Sequence, residues 1–159
     1  MAATDALPGS PARPGRALQR SLTGVALLLL VAQFLFGIVV NLFVSIPTHH
    51  PGAQASEYFG GVVRSVSWAV TGSGLVWLQV HAALGLLLVL FAVLLLVVAI
   101  VSRRGGRITA AALGLFGVLG AGFNGGSFLN YNEDFSSMLM AGGFALAVAA
   151  YVVGLLIEG

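Results

Sequence analysis

The sequence predicts an all-α membrane protein: a bundle of four transmembrane helices, with both termini in the cytoplasm. Of its 159 residues, 58% are apolar and only 8% are charged, against about 25% charged residues in an average soluble domain. Four long apolar runs separate the few charged residues, and the arginines cluster beside two of them. A soluble fold is excluded, because so few charges would leave most of the apolar surface in water.

The four apolar runs set the boundaries of the predicted spans. They cover about residues 21–46, 76–101, 108–128 and 135–157. Each run is long enough to cross a hydrocarbon core of about 30 Å at about 1.5 Å per residue. Residues 1–17 are rich in Pro, Gly and Ala, which predicts a disordered tail before a membrane domain of residues 18–159. The first run is too long for a signal peptide and is expected to remain as an anchor.

The arginines predict which ends of the spans face the cytoplasm. All seven cationic residues are arginine, and six of them lie within residues 13–20 and 103–107. By the positive-inside rule, the segment before span one and the link between spans two and three are cytoplasmic. An even number of spans returns the C-terminus to that side, which indicates a multi-pass protein of the plasma (inner) membrane. The arginines form no phosphate-tracking groove, so the lipid bilayer is an expected partner and nucleic acid is not.

Residues 47–75 form the longer of the two predicted outer loops. Apolar residues recur near helical spacing from Tyr58 to Val70, with polar residues between them. This pattern predicts a short amphipathic helix at the membrane surface. The helix is either a surface anchor, with Trp68 at the headgroups, or a lid over the mouth of the bundle.

Spans three and four are rich in small residues at three- and four-residue spacing. These residues are Gly114, Gly117, Gly120, Gly122, Gly143, Ala147, Ala150 and Gly154. Small side chains let helix backbones approach closely, which is how helices associate in lipid. The pattern predicts tight packing within the bundle, in a homo-oligomer or against a larger membrane complex. The alternative is that the glycines make room for a flat cofactor.

His81 is the residue that points most directly to chemistry. It lies roughly 7 Å along span two from the outer end of that span, and ionisable groups at such depth normally face a bundle interior or a cavity. Gly85 lies one turn below it, which leaves space for a planar ligand beside the imidazole. His81 could be an axial ligand of a b-type haem. It could instead hydrogen-bond Asn41, Asn124 or a backbone carbonyl and tie helices together, and another metal, a quinone or a proton path also remains open.

Two further histidines, His49 and His50, follow span one on the predicted outer side. Either could be the second ligand of a haem at His81, as could Met138 or Met140 at the start of span four. The two histidines could alternatively bind copper or zinc together with outer-face carboxylates. Those carboxylates are Glu57, Glu133 and Asp134.

The segment from His81 to Gly85, His-Ala-Ala-Leu-Gly, resembles the His-x-x-Leu-Gly element of small four-helix bacterial membrane proteins, including cytochrome b561-like and haem A synthase-like bundles. The resemblance implies a haem bound between helices near one membrane face, with His81 as the one ligand carried over. This sequence differs from those families because it has no second histidine within a span. An uncharacterised four-span family is the alternative.

Polar residues gather at the predicted outer mouth of the bundle, and the inner half is predicted to be almost featureless. The outer polar residues are Asn41, His49, His50, His81, Asn124, Ser127, Asn130, Glu133 and Asp134. Two hypotheses follow: a haem protein of electron transport with His81 as ligand, and a non-catalytic accessory subunit of a larger membrane complex. A small-molecule transporter is a further alternative, although no acidic residue lies in the core of a span. No catalytic arrangement is recognisable, so an enzyme is less expected than a non-enzyme.

Overall fold

The computed structural model describes residues 14–158, and over that range the chain is helical with no strand. The five helices are α1 Pro14–Phe43, α2 Tyr58–Thr71, α3 Val76–Ser102, α4 Gly105–Tyr131 and α5 Asp134–Glu158. Four of these helices, α1, α3, α4 and α5, are long and apolar enough to cross a membrane. The predicted all-α class, with four helices that could span a membrane, is therefore confirmed.

The helices differ from the predicted spans at their ends. The predicted 1–17 tail overlaps α1, which begins at Pro14; residues 1–13 lie outside the described residues. α1 ends at Phe43, where span one was expected to continue to residue 46. α4 runs from Gly105 to Tyr131, beyond the predicted 108–128, because polar residues at its ends continue the helix although they interrupt the apolar run.

The four long helices form a square. α1 packs against α3 and α5, and α4 packs against the same two helices. α2 lies across α3 and α4. We call the end of the bundle that carries α2 the cap end. The opposite end, which carries the short α3–α4 link, is the link end.

Two residues in the left-handed conformation keep the short links tight. Arg103 ends α3 with φ 52° and donates its backbone N–H to the carbonyl of Ile100. Asn132 ends α4 with φ 56° and donates to the carbonyl of Phe128. These contacts satisfy carbonyls that the helix leaves free at its C-terminal end. Each following helix therefore starts almost at once and runs back beside the preceding one.

α4 and α5 approach at glycines that leave no room for side chains. A methyl group on Gly143 of α5 would lie 2.7 Å from the nitrogen of Ala121 and 2.8 Å from the carbonyl oxygen of Gly117. A methyl group on Gly117 would lie 2.6 Å from the nitrogen of Ala147. The predicted close packing of spans three and four is confirmed at these positions.

Not every small residue of α4 and α5 contributes to that contact. Gly114 makes room for the ring of Tyr151, whereas methyl groups on Gly120 and Gly122 would contact nothing within 4 Å. Gly142, next to Gly143 in sequence, is exposed and also faces open space. Spacing alone did not distinguish the glycines of the contact from those outside it.

The neighbouring glycines of α5 provide a matched pair for testing this contact. Gly143→Ala is expected to destabilise the purified protein by about 1–3 kcal/mol, because the added methyl group overlaps the backbone of α4. Gly142→Ala adds no overlap and should be neutral or stabilising by up to about 1 kcal/mol, because alanine favours a helix over glycine. Unfolding of both variants in a denaturing-detergent titration measures the difference. Equal midpoints for the two variants would contradict the proposed backbone contact.

Candidate functional site

His81 of α3 is packed against the cap-end half of α1. Its Nε2 atom lies 3.3 Å from Nε2 of the Gln33 amide. A methyl group on Gly37 would lie 3.1 Å from Cε1 of the imidazole, and one on Gly85 would lie 3.3 Å from Nε2 of Gln33. Each polar side chain thus lies against a glycine of the opposite helix. The space beside Gly85, predicted for a planar ligand, holds the Gln33 amide.

The hydrogen bond between Gln33 and His81 leaves polar atoms unused. The amide donates to Nε2 when the imidazole proton is on Nδ1. Both Oε1 of Gln33 and Nδ1 of His81 are buried without a hydrogen-bond partner among the described residues. A buried polar atom without a partner costs about 1–3 kcal/mol. The pair joins α1 to α3 but is incompletely satisfied.

The other residues predicted to surround a cofactor make different contacts. Asn124 donates from Nδ2 to the carbonyl of Gly120 in its own helix, at 2.8 Å. Asn41 is exposed near the end of α1. The hydrogen-bond partner of His81 is therefore Gln33, which was not among the predicted site residues. The available signal was that Gln33 is the one polar side chain between Gly24 and Asn41.

His50 holds the segment before α2 against the end of α4. Its Nε2 lies 3.0 Å from the carbonyl oxygen of Leu129, and its Nδ1 lies 3.1 Å from that of Pro51. The ring stacks on Trp68 of α2 with centroids 4.1 Å apart and planes 8° apart. His50 thus joins the loop, α2 and α4.

His49 makes no comparable contact, although it is the neighbour of His50 in sequence. It is exposed, and its Nδ1 lies 3.0 Å from the hydroxyl oxygen of Thr48. Within residues 14–158, no three histidine, aspartate or glutamate side chains are grouped so that they could hold a metal ion. In the part of the chain that the structure describes, the three histidines and the outer-face carboxylates therefore do not form a set of three potential metal ligands.

Asn130 at the end of α4 organises the loop before α2. Its Oδ1 accepts a hydrogen bond from the N–H of Ala55 at 3.1 Å, and its backbone carbonyl accepts from Gln54 at 2.8 Å. The hydroxyl of Tyr131 donates to the carbonyl of Ala55 at 3.2 Å. Asn130 is only 2% exposed, and Gly61 of α2 packs directly on its amide nitrogen.

Hydroxyl groups extend these contacts from α2 to α5. Tyr58 donates to the hydroxyl oxygen of Ser127 at 3.0 Å, and that oxygen lies 3.2 Å from the hydroxyl oxygen of Ser136. Tyr58 also stacks on Tyr131, with centroids 5.7 Å apart. We call the side chains that close this end the cap network: His50, Tyr58, Trp68, Ser127, Asn130, Tyr131 and Ser136.

The link end also carries buried polar residues, so the prediction of an almost featureless inner half is wrong. Arg107, predicted to belong to the charged link, lies within α4 and is only 5% exposed. Its guanidinium donates to Oε1 of Gln19 at 3.3 Å. Thr23 and Tyr151 lie with these two residues around a cavity of about 10 Å³, which is about the volume that one water needs. This arrangement was not predicted from the sequence, because Arg107 closely follows Arg103 and Arg104, which are both exposed.

Asn130→Ala is expected to release the loop before α2, because the N–H of Ala55 loses its acceptor inside a buried contact. Hydrogen–deuterium exchange of the purified protein should accelerate over residues 54–61 by about tenfold, the effect of losing roughly 1.4 kcal/mol of protection. Asn124→Ala is the matched control, since that side chain bonds only its own helix. Unchanged exchange in the Asn130 variant would show that this side chain does not hold the loop.

Comparisons with known proteins do not assign a family to this bundle. No protein-family model, no curated protein and no solved structure matches the chain. The resemblance of the His81–Gly85 segment to haem-binding bundles therefore stays a prediction.

Proposed function

We propose that this chain is a non-catalytic accessory subunit that packs against a larger protein in the plasma membrane. In this proposal the link end faces the cytoplasm and the cap end faces outward. Arg103 and Arg104 at the link end are exposed, and the positive-inside rule favours that orientation. The cap then forms the outer surface of the subunit.

The observation that carries the proposal is a stripe of exposed residues along α5 that faces away from the bundle. We call this stripe the seam. Its members recur at alternating four- and three-residue spacing, and all are exposed. The seam consists of Met138, Gly142, Ala145, Ala149, Val152 and Leu156. This spacing presents one stripe to a neighbouring helix, and small residues at its centre allow a close approach in lipid.

The two sides of α5 differ in what they contact. Gly143 and Ala147 face α4 and are used within the bundle. A methyl group on Gly142 would contact nothing within 4 Å. α5 therefore has a second set of small residues that bundle packing does not explain, and a helix of another protein is the occupant we propose.

The polar contacts of the cap end also favour a non-catalytic role. His81 contacts Gln33, His50 contacts the carbonyl of Leu129, and Asn130 holds the loop at Ala55. A catalytic group must be within reach of a substrate. These side chains instead connect elements of the same chain.

Copurification in a mild detergent tests the proposal. The tagged chain is expected to recover a stoichiometric larger membrane protein, and Gly142→Leu should reduce that recovery at least about tenfold by blocking close helix approach. Gly120→Leu is the control, because Gly120 of α4 also faces open space but lies outside the seam. Recovery of the chain alone, or only of further copies of itself, would overturn the accessory-subunit proposal.

Haem binding through His81 is a second candidate function. It is favoured by the two buried atoms without partners, Oε1 of Gln33 and Nδ1 of His81. It is also favoured by two small residues, Gly37 beside the imidazole and Gly85 beside the Gln33 amide. The residues fit a haem only if the Gln33 amide moves off Nε2, which would then be free to bind the iron. When bound, the haem would supply one-electron redox chemistry.

An absorption spectrum of the protein purified from haem-replete cells tests this candidate. Haem ligation by His81 predicts a Soret band that His81→Ala abolishes. Gln33→Leu should retain or increase the band, because it frees Nε2. Absence of the band from the unaltered protein would overturn haem binding, and its persistence in His81→Ala would overturn the ligand assignment.

A further inference from the structure

We propose that a groove between α2 and Pro51 binds the phosphate of an anionic phospholipid, with Arg64 as the cation that pairs with it. The inference rests on the membrane location of the bundle proposed above and on α2 lying at the bilayer surface. It does not depend on the partner at α5 or on haem. It follows from how α2 distributes its residues and from the shape of the groove.

α2 has three distinct faces. The face toward the bundle is buried and consists of Gly61, Val62, Ser65 and Ala69. A second face exposes large apolar side chains, with Phe59 at 66% and Val63 at 67% exposure. The third face is polar and exposed, and it carries Arg64, Ser67 and Thr71. A helix with adjoining apolar and polar exposed faces is suited to lie in the plane of the membrane interface.

The groove lies beside the polar face. Its volume is about 310 Å³, and it is open to the surface. Its lining residues are Pro51, Arg64, Ser67, Trp68, Thr71 and Gly72. This lining combines one cation and two hydroxyl groups with an indole ring and contains no carboxylate. A phosphate diester would meet a positive charge there, whereas the ammonium group of a zwitterionic lipid would find no counter-charge in the lining.

The cap network holds one wall of the groove in place. Trp68 is stacked on His50, which is itself fixed to the carbonyl of Leu129. The indole therefore keeps its position before any ligand arrives. Tryptophan is also favoured at the headgroup level of membranes, because one part of it is apolar and its N–H is polar.

Arg64 is free to bind a phosphate. Among the described residues it makes no ion pair or hydrogen bond. The nearby Glu57 is used differently, since its carboxylate accepts from the N–H groups of Phe59 and Gly60 at the start of α2. A planar guanidinium can donate two parallel hydrogen bonds to phosphate oxygens.

A membrane lipid is a better occupant than free phosphate. One exposed cation gives little affinity for a small anion in water. A lipid is already concentrated beside α2, and the exposed Phe59 and Val63 side chains lie on the adjoining face that would contact acyl chains. The groove then has to select a headgroup and does not have to supply the whole binding energy.

Quenching of Trp68 fluorescence tests the site directly. Trp77→Phe leaves Trp68 as the only tryptophan, and the protein is placed in bilayers that contain phosphatidylglycerol brominated near the glycerol end of its chains. Half-quenching should require about fivefold less brominated phosphatidylglycerol than brominated phosphatidylcholine, the ratio that one cation at a membrane surface is worth. Arg64→Gln in the same background should abolish this preference.

The controls separate the possible outcomes. Arg104→Gln removes an exposed arginine at the link end and should keep the preference. Equal quenching by the two lipids, or an unchanged preference in Arg64→Gln, overturns the headgroup site. Relief of quenching by inorganic phosphate would assign the groove to free phosphate and overturn a lipid site. Absence of quenching by either lipid would overturn the surface location of α2 and with it the lipid site. The accessory-subunit proposal would stand in that case, because copurification tests it independently through α5.

Discussion

A bilayer offers no water to a buried polar group, and this constraint determines how the polar side chains of this bundle are arranged. Buried polar side chains need partners within the chain, and several of them here connect different helices. Gln33 and His81 join α1 to α3, while Arg107 and Gln19 join α4 to α1. The hydrogen bonds of the cap network join α2, α4 and α5 to one another. The polar residues therefore contribute to the association of helices that lipid, with its apolar chains, does not drive together.

Close backbone approach supplies the rest of that association, and it is used differently by different pairs of neighbouring helices. α4 and α5 meet at Gly117 and Gly143, where dispersion contacts form between main chains. α1 and α3 instead meet through larger side chains that fit into the space beside a glycine of the opposite helix, as His81 does beside Gly37. Glycine thus has two uses in one bundle: it lets two backbones touch, and it makes room for a polar ring from the opposite helix.

Much of the fold could be predicted from apolar run length and charge placement, whereas the contacts of the site could not. Length and hydropathy are local properties, so four spans and a short helix near Tyr58–Val70 were recognisable. Partners such as Gln33 for His81 and Ala55 for Asn130 are separated by tens of residues, and no local pattern links them. Arg107 illustrates the same limit, because the preceding Arg103 and Arg104 are exposed while its own side chain on α4 is buried.

The energetics of the Gln33–His81 pair argue that its polarity is not explained by stability. Side-chain hydrogen bonds between membrane helices average about 0.6 kcal/mol, whereas each buried atom left without a partner costs about 1–3 kcal/mol. Nδ1 of His81 and Oε1 of Gln33 both lack partners among the described residues. On these magnitudes, two apolar residues of similar shape would hold α1 and α3 together at least as well. A selective reason for the imidazole would therefore have to come from something that it binds or from the unique register that it imposes on the two helices.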